Sequence, residues 1–173
     1  MWKNLSLALL ALSAAALARA GALEELPQFS RQGPTLVASG QPPAEAFEAL
    51  RKEGVQVVID LRPEAEHPQL NERAVAEGAG LKYESLPVAG RAGLTRENVL
   101  AFDALLKKHA QETTLAHCST SNRVGALLAL RAAWLQGKSP EDALKIGEQA
   151  GLKGMKADVE AVLRPPTPAP STP

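Results

Sequence analysis

The chain has 173 residues, 45% of them hydrophobic and 3% aromatic, with 19 basic and 19 acidic residues and no net charge. That is enough for one ordinary domain with a core of Leu, Val and Ala. The charge balance argues against a general nucleic-acid or membrane-surface binder.

Residues 1–20, "MWKNLSLALLALSAAALARA", have a basic start at Lys3, an apolar stretch from Leu5 to Ala18 and an Ala18-Arg19-Ala20 ending. This pattern predicts a secretory signal peptide cleaved before Gly21. The stretch is short for a membrane span, so the expectation is export, to the periplasm, with no stable membrane anchor after cleavage. Residues 21–34 are set apart as an N-terminal segment. The folded domain is expected over 35–163, and a Pro-rich tail over 164–173 that can form neither helix nor central strand.

Within the domain, "TLVAS" reads as a short strand before a turn. "PAEAFEALRKEG" has Phe47 and Leu50 at helical spacing and stops at Gly54. "VQVVIDL" is a β-branched run of buried-strand length. A charged loop, "RPEAEHP", follows, and then a helix in "QLNERAVAEGAG". "LKYESLPV" is the next strand and "AGRAG" a loop. "TRENVLAFDALLKKHA" is a helix with Thr95 as N-cap and an apolar face of Val99, Phe102, Leu105 and Leu106. "TTLAHC" is the last strand and "NRVGALLALRAAWLQG" the helix after it. "SPEDALKIGEQAG" opens with Ser139 as N-cap and Pro140 at the first helical position. A short helix from Met155 to Leu163 closes the series. This alternation predicts an α/β fold with a small, mostly parallel sheet and helices on both faces. Ligands in such sheets bind beyond the carboxyl ends of the strands.

Cys118 is the only cysteine. It cannot form an internal disulfide, and in an oxidising compartment a lone thiol is a liability unless buried or used. It sits where the last strand meets a helix, in "HCSTSNR". Such a turn aims backbone N–H groups and the helix dipole at one spot. Arg123 at the helix start offers a planar fork for two oxygens of a phosphate or sulfate. The same field favours a thiolate. Ser119, Thr120, Ser121 and Asn122 add donors, though they also suit an ordinary turn and N-cap. Asp60, Arg62 and Glu64 in "DLRPE" lie past a strand end on the ligand side. A solvated loop with a local ion pair is the simpler reading for them. His67, His109 and His117 show no metal-ligand spacing, so no metal or other cofactor is expected. Trp134 reads as core.

"HCSTSNR" resembles the His-Cys…Arg signature of protein-tyrosine and dual-specificity phosphatases. "ASGQP", "VVIDLRPEAEHP", "LPVAG…LTRENVLAFDALL" and "HC…NRVGALLALRAAW" together resemble the phosphatase-like domain of beta-lactamase-hydrolase-like proteins. The resemblance covers roughly Ala38 to Trp134. It implies a phosphatase-type fold and a phosphorylated small molecule or protein as substrate. It implies Cys118 as nucleophile, Arg123 as phosphoryl binder and 119–122 as the backbone cradle, with His117 supporting the loop by hydrogen bonds. Three features depart from that pattern. The loop between Cys118 and Arg123 is one residue shorter than in the usual tyrosine phosphatase, a spacing shared with rhodanese-like sulfurtransferases. Ser121 stands where glycine is usual, and strains the loop if that position needs positive φ. "SLPVAGRAGLT", where an aspartate general acid usually lies, has no Asp, Glu or His; Glu97 or an acid of "DLRPEAEH" is left to replace it. The alternatives are a sulfurtransferase carrying a Cys118 persulfide and a non-catalytic anion- or partner-binding module.

Overall fold

A computed structural model describes residues 21–164. The expected signal peptide over 1–20 and the expected tail from Pro165 onward lie outside the described residues. Five strands form one sheet: β1 (Ser30–Arg31), β2 (Leu36–Ser39), β3 (Val57–Asp60), β4 (Lys82–Ser85) and β5 (Thr114–His117). The spatial order is β1-β2-β5-β3-β4. β5 pairs in parallel with β2 on one side and β3 on the other, and β4 runs parallel to β3. β1 pairs antiparallel with β2 at the edge. The helices are α1 (Phe47–Lys52), α2 (Glu72–Gly78), α3 (Arg96–Lys108), α4 (Asn122–Gln136), α5 (Pro140–Gln149) and α6 (Lys156–Leu163). None of them is long and apolar enough to cross a membrane.

Successive strand residues face opposite sides of a sheet, and the two cores follow that alternation. Ala38, Val57, Ile59, Ala116 and Cys118 face Val99 and Phe102 of α3, the buried face of α4, and Val159 of α6. Val37, Val58 and Leu115 face Phe47 and Leu50 of α1 and Ala76 of α2. Both faces are covered, so β3 and β5 are buried along their whole length. Leu23 and Leu26 join the second core. With β1, they extend the folded unit N-terminal to the boundary expected at 35.

The helix starts follow the sequence signals. The Thr95 side chain accepts from the Asn98 N–H. The Ser139 side chain accepts from Asp142 N–H, with Pro140 leading the helix. The "AGRAG" loop closes as a 3-10 turn over Gly90–Gly93. Trp134 is partly buried against the α3/α4 core, and Arg96 lies over its ring.

The register places the site. Ser39 of β2 and Asp60 of β3 both sit opposite His117 of β5. The carboxyl ends of three adjacent strands are therefore level, and Cys118 leaves the central one.

Candidate active site

Cys118 is 1% exposed and continues the inward face of β5 after Ala116. The chain then turns through 119–121 into α4. Gln41 N–H donates to the Ser119 carbonyl at 3.3 Å, which holds the turn to the end of β2. Ser121 adopts φ 62°, ψ −7°, the left-handed region that usually falls to glycine. Its side chain does not cap α4; its Oγ donates to the Ala150 carbonyl at 2.7 Å. Space for that side chain comes from Gly151, whose own φ is +98°. A Cβ placed there would sit 2.6 Å from Ser121 Cβ. Asn122 faces the same way. Its Oδ1 accepts from the Lys153 N–H at 2.7 Å and its Nδ2 donates to Thr120 Oγ1 at 3.1 Å. The Ser121 and Asn122 side chains thus anchor the loop to the α5–α6 connection. Only their backbone remains for a bound anion.

Arg123 turns back over the loop. Its Nη1 donates to the Val88 carbonyl at 3.2 Å and its Nη2 to Ser119 Oγ at 3.0 Å. Both terminal nitrogens also donate to one carboxylate, Nη1 to Glu66 Oε1 at 2.8 Å and Nη2 to Glu66 Oε2 at 2.6 Å. Ser119 Oγ completes the contact by donating to Glu66 Oε2 at 3.1 Å. The Arg123 hydrogen bond holds the Glu66 carboxyl below the usual glutamate range. Burial pushes Arg123 down, but Glu66 and Cys118 beside it raise it on balance. Cys118, Ser119 and Arg123 therefore converge, as the sequence suggests, and Glu66 joins them. "DLRPEAEH" offered three acids; the 3-10 turn over Glu64–Glu66 carries the third one to Arg123.

Behind the loop lies a second cluster. Arg62, expected in a solvated loop, is 1% exposed. Its Nε donates to Asp60 Oδ1 at 2.9 Å, and its Nη2 to Asp60 Oδ2 at 2.8 Å and Glu72 Oε2 at 2.6 Å. The local ion pair is present, but it is buried. A solvent-exposed arginine was the wrong expectation because Glu72, ten residues on at the start of α2, supplies the second carboxylate that lets the guanidinium stay dry. The His117 ring lies 2.7 Å from Glu72 Oε1 and faces this cluster. Tyr83 Oη donates to Asp60 Oδ2 at 2.8 Å. Burial would raise the Asp60 carboxyl, yet Arg62 and His117 outweigh it and hold it low. Burial and the Asp60 charge push Tyr83 up. Asp60, Glu72 and His117 bring three potential ligand atoms within 4.8 Å of one another. The Arg62 guanidinium already pairs with both carboxylates there, so the donor set does not fit a metal ion while that arginine stays in place. Glu72 and Tyr83 carry no local motif; only the tertiary fold shows their part.

A central parallel strand, a cysteine at its carboxyl end, a tight turn and an arginine at the following helix start together define the cysteine-dependent phosphatase fold. Residues 27–164 match the family described as DSP-PTPase phosphatase fused to NAD+ kinase, and the chain belongs to that family. Over 99 residues it is 33% identical to the beta-lactamase hydrolase-like protein of Xylella fastidiosa strain Temecula1. That match covers 55% of this chain and 22% of the relative, so the chain corresponds to a minor part of it. A solved phosphatase-type DUF442 protein of Shewanella putrefaciens CN-32 superposes with a TM-score of 0.64 and 27% identity, covering 82% of this chain and 94% of that one. TpbA of P. aeruginosa, solved in complex with phosphotyrosine, superposes with a TM-score of 0.58 and 22% identity, covering 79% and 83%.

Proposed function

We propose that this chain hydrolyses phosphate monoesters through Cys118. The Sγ attacks phosphorus and the ester P–O bond breaks, leaving a cysteinyl-phosphate and the free alcohol. Water then attacks phosphorus, the S–P bond breaks, and inorganic phosphate leaves. The observation that carries this reading is the convergence of Arg123 on the turn that begins at Cys118. Its guanidinium is pinned from behind by the Val88 carbonyl, and its fork can hold two phosphoryl oxygens as charge develops on them. The level ends of β2, β5 and β3 give that cradle a rigid floor, and preorganised donors need no rearrangement at the moment of reaction. The substrate is a phosphorylated small molecule or protein. The phosphotyrosine bound to TpbA makes an aryl phosphate the natural first probe.

Cys118→Ser removes the nucleophile and is expected to abolish turnover of p-nitrophenyl phosphate. Retained activity in that variant overturns the reading. A gain of one sulfur in intact mass after incubation with thiosulfate, with no ester turnover, favours the sulfurtransferase instead. The leader supports export, so N-terminal sequencing of periplasmic protein is expected to begin at Gly21.

A further inference from the structure

Resting on the phosphatase reading, we infer that Glu66 is the proton donor to the leaving group, released from Arg123 by the incoming phosphate. The loop where an acid is usual, "SLPVAGRAGLT", carries none. Glu66 is the carboxylate that the fold brings to the phosphoryl-binding arginine, from a different connection, the 3-10 turn that follows β3.

Its present position is that of an anion in the cradle. The two carboxylate oxygens fill both terminal nitrogens of Arg123, and Ser119 Oγ donates to one of them. A phosphoryl group needs the same fork. A phosphate ester and the Glu66 carboxylate cannot both hold it bidentately, and the ester carries the larger charge. Arg123 does not follow the displaced carboxylate, because the Val88 carbonyl and Ser119 hold it from the protein side. The Glu66 side chain is free to move, since it is 39% exposed while Arg123 is 9% exposed.

Displacement reverses the electrostatics of the carboxyl group. Next to Arg123 it is held ionised. Moved to the outer side of a bound phosphate dianion, it loses its cation and faces like charge, and both changes favour protonation. The proton taken up from solvent then sits beside the ester oxygen. As Sγ bonds to phosphorus and the P–O bond breaks, that proton passes to the departing oxygen and Glu66 becomes a carboxylate again. In the second step the carboxylate takes a proton from the attacking water. As inorganic phosphate leaves, Glu66 gives that proton to solvent and pairs again with Arg123 as a carboxylate, with the thiolate restored on Cys118.

The test compares two esters on the parent chain, Glu66→Gln and Glu66→Asp. For p-nitrophenyl phosphate the leaving phenolate is stable without a proton. For phenyl phosphate the phenol has a pKa of about 10 and needs one. Glu66→Gln is expected to lower kcat/KM, which reads the leaving-group step alone, by about 10²-fold or more on phenyl phosphate, to change kcat/KM on p-nitrophenyl phosphate far less, and Glu66→Asp to recover part of the loss. An equal loss of kcat/KM on both esters overturns the assignment in favour of a residue that only positions Arg123. A gain on both overturns it in favour of a plug that merely blocks the cradle. A parent chain that turns over neither ester removes the phosphatase reading itself, and the assignment with it.

Discussion

Ser121 carries two opposing effects at one residue. A non-glycine residue in the left-handed region costs roughly 1–2 kcal/mol. The Oγ hydrogen bond to the buried Ala150 carbonyl returns about 1 kcal/mol. Ser121→Gly removes the strain and the hydrogen bond together, so its unfolding free energy is expected within about 1 kcal/mol of the parent. Ser121→Ala keeps the strain and strands the carbonyl, and is expected to lose about 1–3 kcal/mol. Chemical denaturation of the two variants separates these outcomes. Strain was expected here on the condition that the position needs positive φ, and the structure places Ser121 at φ 62°. What relieves it was not legible. Ala150 and Gly151 lie about thirty residues downstream, and nothing local couples a turn serine to a helix end. The same limit applied to Glu66: its loop was recognisable as charged, while the choice among its acids depends on where a 3-10 turn points.

At the scale of elements, α4 and α5 approach more closely than side chains normally allow. A Cβ on Gly125 would lie 2.6 Å from the Gly147 carbonyl oxygen, and one on Gly147 would lie 2.7 Å from the Gly125 carbonyl oxygen. Glycine inside a helix ordinarily costs about 1 kcal/mol relative to alanine. Here Gly125→Ala is expected to destabilise instead, by about 1–3 kcal/mol, because overpacking exceeds the propensity gain. It is also expected to lower turnover, since Gly125 N–H donates to the Ser121 carbonyl at 2.9 Å and ties the helix contact to the loop. A thermal melt and a p-nitrophenyl phosphate assay read both effects. Strand and helix order were legible, because buried parallel strands and capped helices write strong local patterns: Val57 to Ile59 is β-branched, and Thr95 and Ser139 cap as read. β1 was not. Two residues at an edge, Ser30 and Arg31, carry no periodicity, and only their pairing with β2 makes them a strand.

At the scale of the molecule, the Asp60–Arg62–Glu72–His117 cluster joins β3, α2 and β5, and Tyr83 brings in β4. Removing its cation leaves two carboxylates buried. Arg62→Met is therefore expected to cost about 3–5 kcal/mol, seen as a lower denaturation midpoint. The same cluster gives stability a pH dependence. The Asp60 carboxyl is held below its ordinary value, so its contribution is complete above the unfolded value of about 3.9 and is lost as pH falls through the lower folded value. Denaturation midpoints followed from neutral pH into that acid range should fall, and fall less steeply in Asp60→Asn.

The pairing of Ser121 with Gly151 also constrains how the two positions can change. A serine at 121 needs the space that a side chain at 151 would occupy. Serine at 121 is thus open only to a chain that already carries glycine at 151, whereas a chain with glycine at 121 relaxes one constraint on 151 while its positive φ remains. The two positions do not mutate independently. The order in which they change decides which intermediates fold, so the departure from the usual phosphatase loop marks a path open in one direction more easily than in the other.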